Sequence, residues 1–367
     1  MVLILPILTR LYSPEDFEYL AVFVAILSLV TVVSCLRLNI AIPLPKEDRT
    51  AAALLVLSIG ATVLFVAAAA VVVTLFRDVV AELLGKPKIS PYLWLVPIGI
   101  FFASSYTALQ YWMSRKKRFA LITRTRISRA LAGAGTQVGF GVFAPGPFGL
   151  ILGQILYMGM GTIRLAVTTW FEDRKHFVGL SRAYLTRTLR EFRRFPTLSV
   201  PEALCDSAGI QVSILLIAAY SAEPEAGYMM LAMQVLGAPM ALIGGAVAQV
   251  YLAEAPEKHR RNELSRLTRR TIWSMLQIGG PVLAVTGALA PFLFSPIFGP
   301  EWGRAGTIVA MLAPSFLLQF LVSPVSMVLH VTGNVLTAML LQAFGFVLRA
   351  GIVLGAAIFA PGWMVEA

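Results

Sequence analysis

The stretch Phe17–Leu44, FEYLAVFVAILSLVTVVSCLRLNIAIPL, is almost wholly apolar, yet Arg37 and Asn39 sit inside it. A spanning helix needs about 20 mostly apolar residues, so the run reads as a transmembrane segment. An arginine near the centre of such a helix costs roughly 2.5–3.5 kcal/mol on insertion scales. The fold class therefore turns on whether this run is exceptional or typical of the chain, and the function turns on what offsets Arg37.

The run is typical. Of 367 residues, 58% are hydrophobic and 13% charged, and mean hydropathy is +0.79. Soluble domains are about half apolar and about a quarter charged, so the composition specifies an all-α integral membrane protein. Further windows of spanning size are 51–75, 91–113, 119–143, 147–170, 196–220, 226–252, 271–296, 305–331 and 336–360. Residues 1–8, MVLILPIL, are too short to cross and lack the charged start of a signal peptide. They read as the last turns of a first span, which makes 17–44 the second.

Charge orients the array. The links after even-numbered spans hold Lys46 and Arg49, Arg115–Arg118, seven cations from Arg174 to Arg194 and six from Lys258 to Arg270. The opposite links hold Arg10, Arg77, Lys86, Lys88 and Arg304. Cations gather on the cytoplasmic side of membrane proteins, so the net charge of +11 reports topology, and nucleic acid is not an expected partner. The basic segment 171–195 divides the chain into an expected N-terminal bundle, 1–170, and a C-terminal bundle, 196–367. A faint echo supports two halves: YSPEDFEY at 12–19 and YSAEPEAGY at 220–228 both precede an even-numbered span. Repeats of equal orientation place a binding site between them.

Chemistry must come from few residues. Cys35 and Cys205 lie in apolar runs, and His176, His259 and His330 are scattered, so neither a metal site nor a disulfide framework is expected. No nucleophile or phosphate-loop motif occurs, the non-cytoplasmic links are short, and an enzyme is not expected; no cofactor is implied. Glycines recur in three spans, at Gly133, Gly135, Gly139 and Gly141, at Gly149, Gly153, Gly159 and Gly161, and at Gly237, Gly244 and Gly245. Close helix packing is the main expectation for them, with bending near Gly237–Pro239 as a second.

The ionisable residues inside spans are Arg37, Arg124, Arg126, Arg129, Arg164, Glu202, Asp206 and Arg349. Arg124 and Arg126 can snorkel to the basic surface. Arg37, Arg164 and Arg349 lie too deep for that, and Arg129 is intermediate. Glu202 and Asp206, four apart on one helix face, either neutralise Arg349 or couple transport to a proton or cation. An excess of arginine around a shared cavity points to an anionic ligand, and the planar guanidinium fork suits phosphate.

Several stretches resemble the bacterial polysaccharide-biosynthesis membrane proteins, the O-antigen and exopolysaccharide flippases of the multidrug/oligosaccharidyl-lipid/polysaccharide (MOP) exporter superfamily. These are LTRLYSPEDF at 8–17, LRLNIAIPLP at 36–45, PMALIGGAVAQVY at 239–251, FGPEW at 298–302, LAP at 312–314 and SP at 323–324. The resemblance implies two pseudo-symmetric helix bundles around a central cavity, alternating access and a lipid-diphosphate-linked oligosaccharide as cargo. With about 10–11 spans, the chain is expected to be truncated relative to a family of twelve or more. Asn39 stands where the family often has an acid, so a local Arg–acid pair is missing.

The combined expectation is a multi-pass flippase of the bacterial plasma (inner) membrane, carrying an undecaprenyl-diphosphate-linked repeat unit. Arg37, Arg164, Arg349, Arg129, Asn39 and Gln249 are the expected substrate-binding set, with Glu202 and Asp206 for ion coupling. Expected partners are the lipid-linked oligosaccharide, membrane lipids, and polysaccharide polymerase and glycosyltransferases. The alternatives are a small-solute or drug antiporter of the same fold and a non-transporting scaffold for polysaccharide assembly.

Overall fold

The computed structural model describes residues 2–144, 146–221, 224–244, 247, 251, 254–255, 258, 261, 263–323 and 335–359. It is all-helical: α1 (Leu5–Leu11), α2 (Pro14–Ser34), α3 (Leu38–Ala41), α4 (Asp48–Leu83), α5 (Leu95–Arg115), α6 (Phe119–Phe143) and α7 (Pro147–Asp173) precede the linker helix α8 (Arg182–Glu191). After it come α9 (Val200–Tyr220), α10 (Glu225–Pro239), α11 (Leu264–Phe298), α12 (Gly303–Val322) and α13 (Val335–Phe359). Six stretches among the described residues are long and apolar enough to cross a membrane: 14–34, 48–83, 147–176, 195–220, 264–298 and 300–322. The protein is a multi-pass integral membrane protein. Short links join antiparallel neighbours, so the chain has a basic end, with the links around 46, 116, 174–194 and 258, and a far end opposite.

The echo at 12–19 does specific work. Ser13 caps α2: its Oγ accepts from the Asp16 N–H, and Asp16 returns a bond to the Ser13 N–H at 3.0 Å. Such a box satisfies two of the orphan donors of a helix start. Its counterpart enters α10 at Glu225, and the two copies meet: a Cβ on Gly227 would sit 2.2 Å from the Pro14 carbonyl oxygen. Only glycine lets these two helix starts touch.

The long apolar run 17–44 is not one helix. α2 stops at Ser34, and Leu36 and Arg37 both take the left-handed conformation, at φ 51° and 56°, before α3 begins. Left-handed backbone costs about 1–2 kcal/mol per non-glycine residue. The turn is stitched down by bonds to α5 and α4: the Ser34 and Ser104 hydroxyls are 2.5 Å apart, and Cys35 Sγ lies 3.4 Å from Thr62 Oγ1.

The glycines pack as expected in α7 and only partly in α6. A Cβ on Gly153 would collide with Gln137 and the Gly133 carbonyl of α6, on Gly159 with Phe102, and on Gly161 with Tyr106. Gly135 and Gly139 instead face open space. α10 ends at Pro239 and passes into a π-helical turn, Met240–Gly244, at the site where bending was expected; Gly245 lies outside the described residues.

The basic end is tied by ion pairs. Asp48 meets Arg115 at 2.9 Å and Lys116 at 2.6 Å, and Asp173 takes a two-pronged contact from Arg118 at 2.8 and 3.0 Å. Trp112 Nε1 also donates to Asp173, at 2.9 Å. The linker follows this group, since Arg49 donates to the Gly179 carbonyl and Thr50 meets the Tyr184 hydroxyl at 2.9 Å.

Candidate functional site

Two cavities lie along one face of α2. Phe17, Leu20 and Val24 line the first, and Ser28, Thr31, Val32 and Cys35 line the second. Spacings of three and four keep all of these on one stripe of the helix. On α7 the neighbours Tyr157 and Met158 divide in the same way. The two spaces are therefore stacked, one toward the far end and one toward the basic end.

The lower cavity, about 260 Å³, is formed by the end of α2, the left-handed turn, α5 and α7. Arg37 and Asn39 both line it, so the structure brings together two of the residues expected to bind substrate. Three buried polar atoms here have no hydrogen-bond partner: Arg37 Nε, Thr31 Oγ1 and Asn39 Oδ1. Asn39 is only 8% exposed. An unsatisfied buried polar group costs about 1–3 kcal/mol, so the turn that borders this space, already on left-handed backbone, is locally costly. The remaining N–H groups of the Arg37 guanidinium are the charged donors beside the space.

The upper cavity, about 380 Å³, lies between helices on either side of the linker. Among the described residues no charged side chain lines it; its polar groups are Gln137 (α6), Gln154 and Tyr157 (α7) and Gln234 (α10). Gln137 is 3% exposed, and its Nε2 donates to the Leu150 carbonyl at 3.2 Å while Oε1 is left unpartnered. Tyr12 supports this arrangement by donating its hydroxyl to the Gln137 carbonyl at 2.6 Å. Burial pushes that phenol up to about 12, so it stays a donor at any physiological pH.

Arg129 sits beside this stack. Its guanidinium lies 3.8 Å from the Tyr106 ring and 5.2 Å from the Tyr157 ring, and its Nε donates to the Tyr157 carbonyl. Two aromatic rings thus lie against the cation, and its hydrogen bond ties it to the Tyr157 backbone. Arg164 is seven residues beyond Tyr157 on α7, two turns or roughly 10 Å nearer the basic end and on the same face; it is exposed, as are Arg124 and Arg126. Arg349 lies apart, exposed on α13 against Gly209 of α9, and forms no ion pair with Asp206 among the described residues. Glu202 and Asp206 share α9, with Asp206 exposed. Gln249 lies outside the described residues.

The far end is closed by contacts that sequence reasoning missed. Trp302 Nε1 donates to the Thr9 carbonyl at 3.0 Å, and its ring packs edge-on against Phe17, with centroids 4.8 Å apart, and against Tyr228. Glu18, 2% exposed, pairs with Lys86 at 2.7 Å, and Glu225 pairs with Arg304 at 3.0 Å. A side-chain hydrogen bond and a ring pair that join helices before the linker to those after it lie at this end. Glu18 stands at the edge of its apolar run, and the three glutamines carry no charge to flag them. The available signal was the echo itself, whose two copies frame this seal.

With this geometry, the relatives are informative. The fold is similar to that of a solved structure described as the inward-facing conformation of a multidrug resistance MATE family transporter of the MOP superfamily. The TM-score is 0.76 at 15% identity, over 99% of this chain and 90% of that one. No curated protein matches. A family model described as polysaccharide biosynthesis protein matches residues 7–306. The chain belongs to the polysaccharide biosynthesis protein family, with the fold of the MOP transporters.

Proposed function

We propose that this protein is a flippase that moves a lipid-diphosphate-linked oligosaccharide across the bacterial plasma membrane by alternating access. The observation that carries this reading is the lower cavity, which Arg37 lines beside Asn39 and Thr31, with no ion pair to Arg37 among the described residues. A diphosphate supplies many acceptor oxygens and enough negative charge to pair with that guanidinium. Charge-assisted hydrogen bonds of this kind contribute about 1.5–3 kcal/mol each. The lipid tail stays in the bilayer while the head moves, so no enzymatic step is required.

Arg164, exposed on α7 two turns beyond Tyr157, gives an entering anion its first cation. The bodies that move are residues 1–170 with the linker 171–195, and residues 196–367. The Trp302–Thr9 and Gly227–Pro14 contacts keep the far end shut while cargo loads from the basic, cytoplasmic end. Differential binding of cargo in the two states drives the exchange, and Glu202 and Asp206 on α9 remain the residues for ion coupling. Polymerase and glycosyltransferases are the partners that supply and consume such a cargo.

Proteoliposomes holding the purified chain test this. A fluorescent polyprenyl-diphosphate sugar placed in one leaflet should become accessible to a membrane-impermeant quencher faster than in protein-free vesicles. Equal rates in the two would remove the flippase reading, and movement of cationic drugs instead would favour the antiporter.

A further inference from the structure

We infer that the upper cavity is a sugar-selecting chamber that accepts an uncharged sugar and rejects an acidic one at the position next to the diphosphate. The inference rests on the flippase reading and deepens it, because the chamber lies one helical turn beyond the cationic cavity on the same stripe of α2.

Four polar residues line one space from α6, α7 and α10: Gln137, Gln154, Tyr157 and Gln234. Gln137 is the fixed member: it is buried, and its Nε2 is committed to the Leu150 carbonyl. Gln154 and Gln234 are partly exposed and, with Tyr157, line the space with amides and a phenol that can exchange hydrogen bonds with sugar hydroxyls and amides. Their acceptor oxygens gain nothing from a carboxylate, which has no hydrogen to give.

Among the described residues no lysine or arginine lines the chamber to offset a uronic acid, and Leu5, Leu8, Leu20 and Met233 form apolar walls. Taking a carboxylate out of water without a cationic partner carries a large penalty, whereas amides and a tyrosine can replace the water around neutral hydroxyls. The volume of about 380 Å³ falls within the 300–1,000 Å³ range of small-molecule sites. Gln234 stands on α10, on the other side of the linker from Gln137 and Gln154, so a bound sugar touches both groups of helices.

The test uses three probes on the purified full chain in nanodiscs: polyprenyl diphosphate without sugar, with an N-acetylhexosamine, and with a hexuronic acid at the same position. The neutral-sugar lipid should bind at least tenfold more tightly than the uronic-acid lipid. In a Gln154→Ala/Gln234→Ala variant its affinity should fall to that of wild type for the sugar-free lipid. Gln154→Lys should reverse the preference toward the uronic acid, a gain that misfolding could not mimic. Equal affinity for the two sugars, or tighter binding of the acid by wild type, overturns the inference while leaving the flippase reading in place. Failure of all three lipids to bind removes both.

Discussion

The two cavities along α2 share a wall and differ in every electrostatic respect. The lower one is built around a cation on strained backbone, with Arg37 Nε, Thr31 Oγ1 and Asn39 Oδ1 unpaired. The upper one is lined by no charged side chain among the described residues and presents amides and a phenol. A single helix face passes from one to the other between Val24 and Ser28, one turn or about 6 Å. The contrast teaches that the protein separates the two chemistries of its proposed cargo by depth. Charge that is affordable near the basic end is excluded from the centre, where a fixed cation would hold an anion too tightly to release it.

The comparison can be broken most sharply at Arg37. Arg37→Glu should weaken binding of sugar-free polyprenyl diphosphate by more than 100-fold, and Arg37→Ala by about 10- to 100-fold, the loss of one charge-assisted hydrogen bond. Titration calorimetry in nanodiscs measures both, and an unchanged melting temperature confirms that the fold survives. A loss below twofold for either would mean that the lower cavity is not the anion site.

A second break acts on the wall between α6 and α7. Gly153→Leu drives a side chain into Gln137 and the Gly133 carbonyl. Overpacking of this sort costs about 1–3 kcal/mol. The variant should melt several degrees lower and lose preference between sugars before it loses binding of the bare lipid diphosphate. Losing both together would deny that the cavities work separately.

Arg129 is a further point of comparison, since two rings already pack against its guanidinium. Arg129→Leu should reduce stability by about 1–2 kcal/mol, the worth of a desolvated cation–π pair, seen as a shifted denaturation midpoint. Its effect on bare-lipid affinity should be within threefold; a larger loss would move Arg129 into the anion site.

The smallest expected effect is that of salt. Raising ionic strength from about 50 to 500 mM shortens the screening length severalfold. Affinity for the bare lipid diphosphate should fall severalfold, through Arg164 and the exposed basic surface. The ratio of neutral-sugar to bare-lipid affinity should stay within twofold, because the chamber carries no charge.

Much of this was legible in the residues. The alternation of apolar runs and basic links specified a multi-pass helical protein, and the cost of a guanidinium in a span singled out Arg37. The echo at 12–19 and 220–228 marked the two segments that meet at the far end. The break at Leu36–Arg37 was not legible, because no glycine or proline stands there; it is imposed by the tertiary bonds from Ser34 to Ser104 and from Cys35 to Thr62. Arg349 stood out for its depth in sequence, yet depth along a helix does not specify which way its face turns. The glutamines escaped notice because an amide in a span costs too little to stand out, and their convergence is a property of the packing of α6, α7 and α10.

The most direct test of the whole account is the initial rate at which a fluorescent polyprenyl-diphosphate N-acetylhexosamine crosses proteoliposome membranes containing wild type or Arg37→Ala at equal density. The account predicts catalysed crossing by wild type and a rate at least tenfold lower for the variant. Equal rates in the two would contradict it.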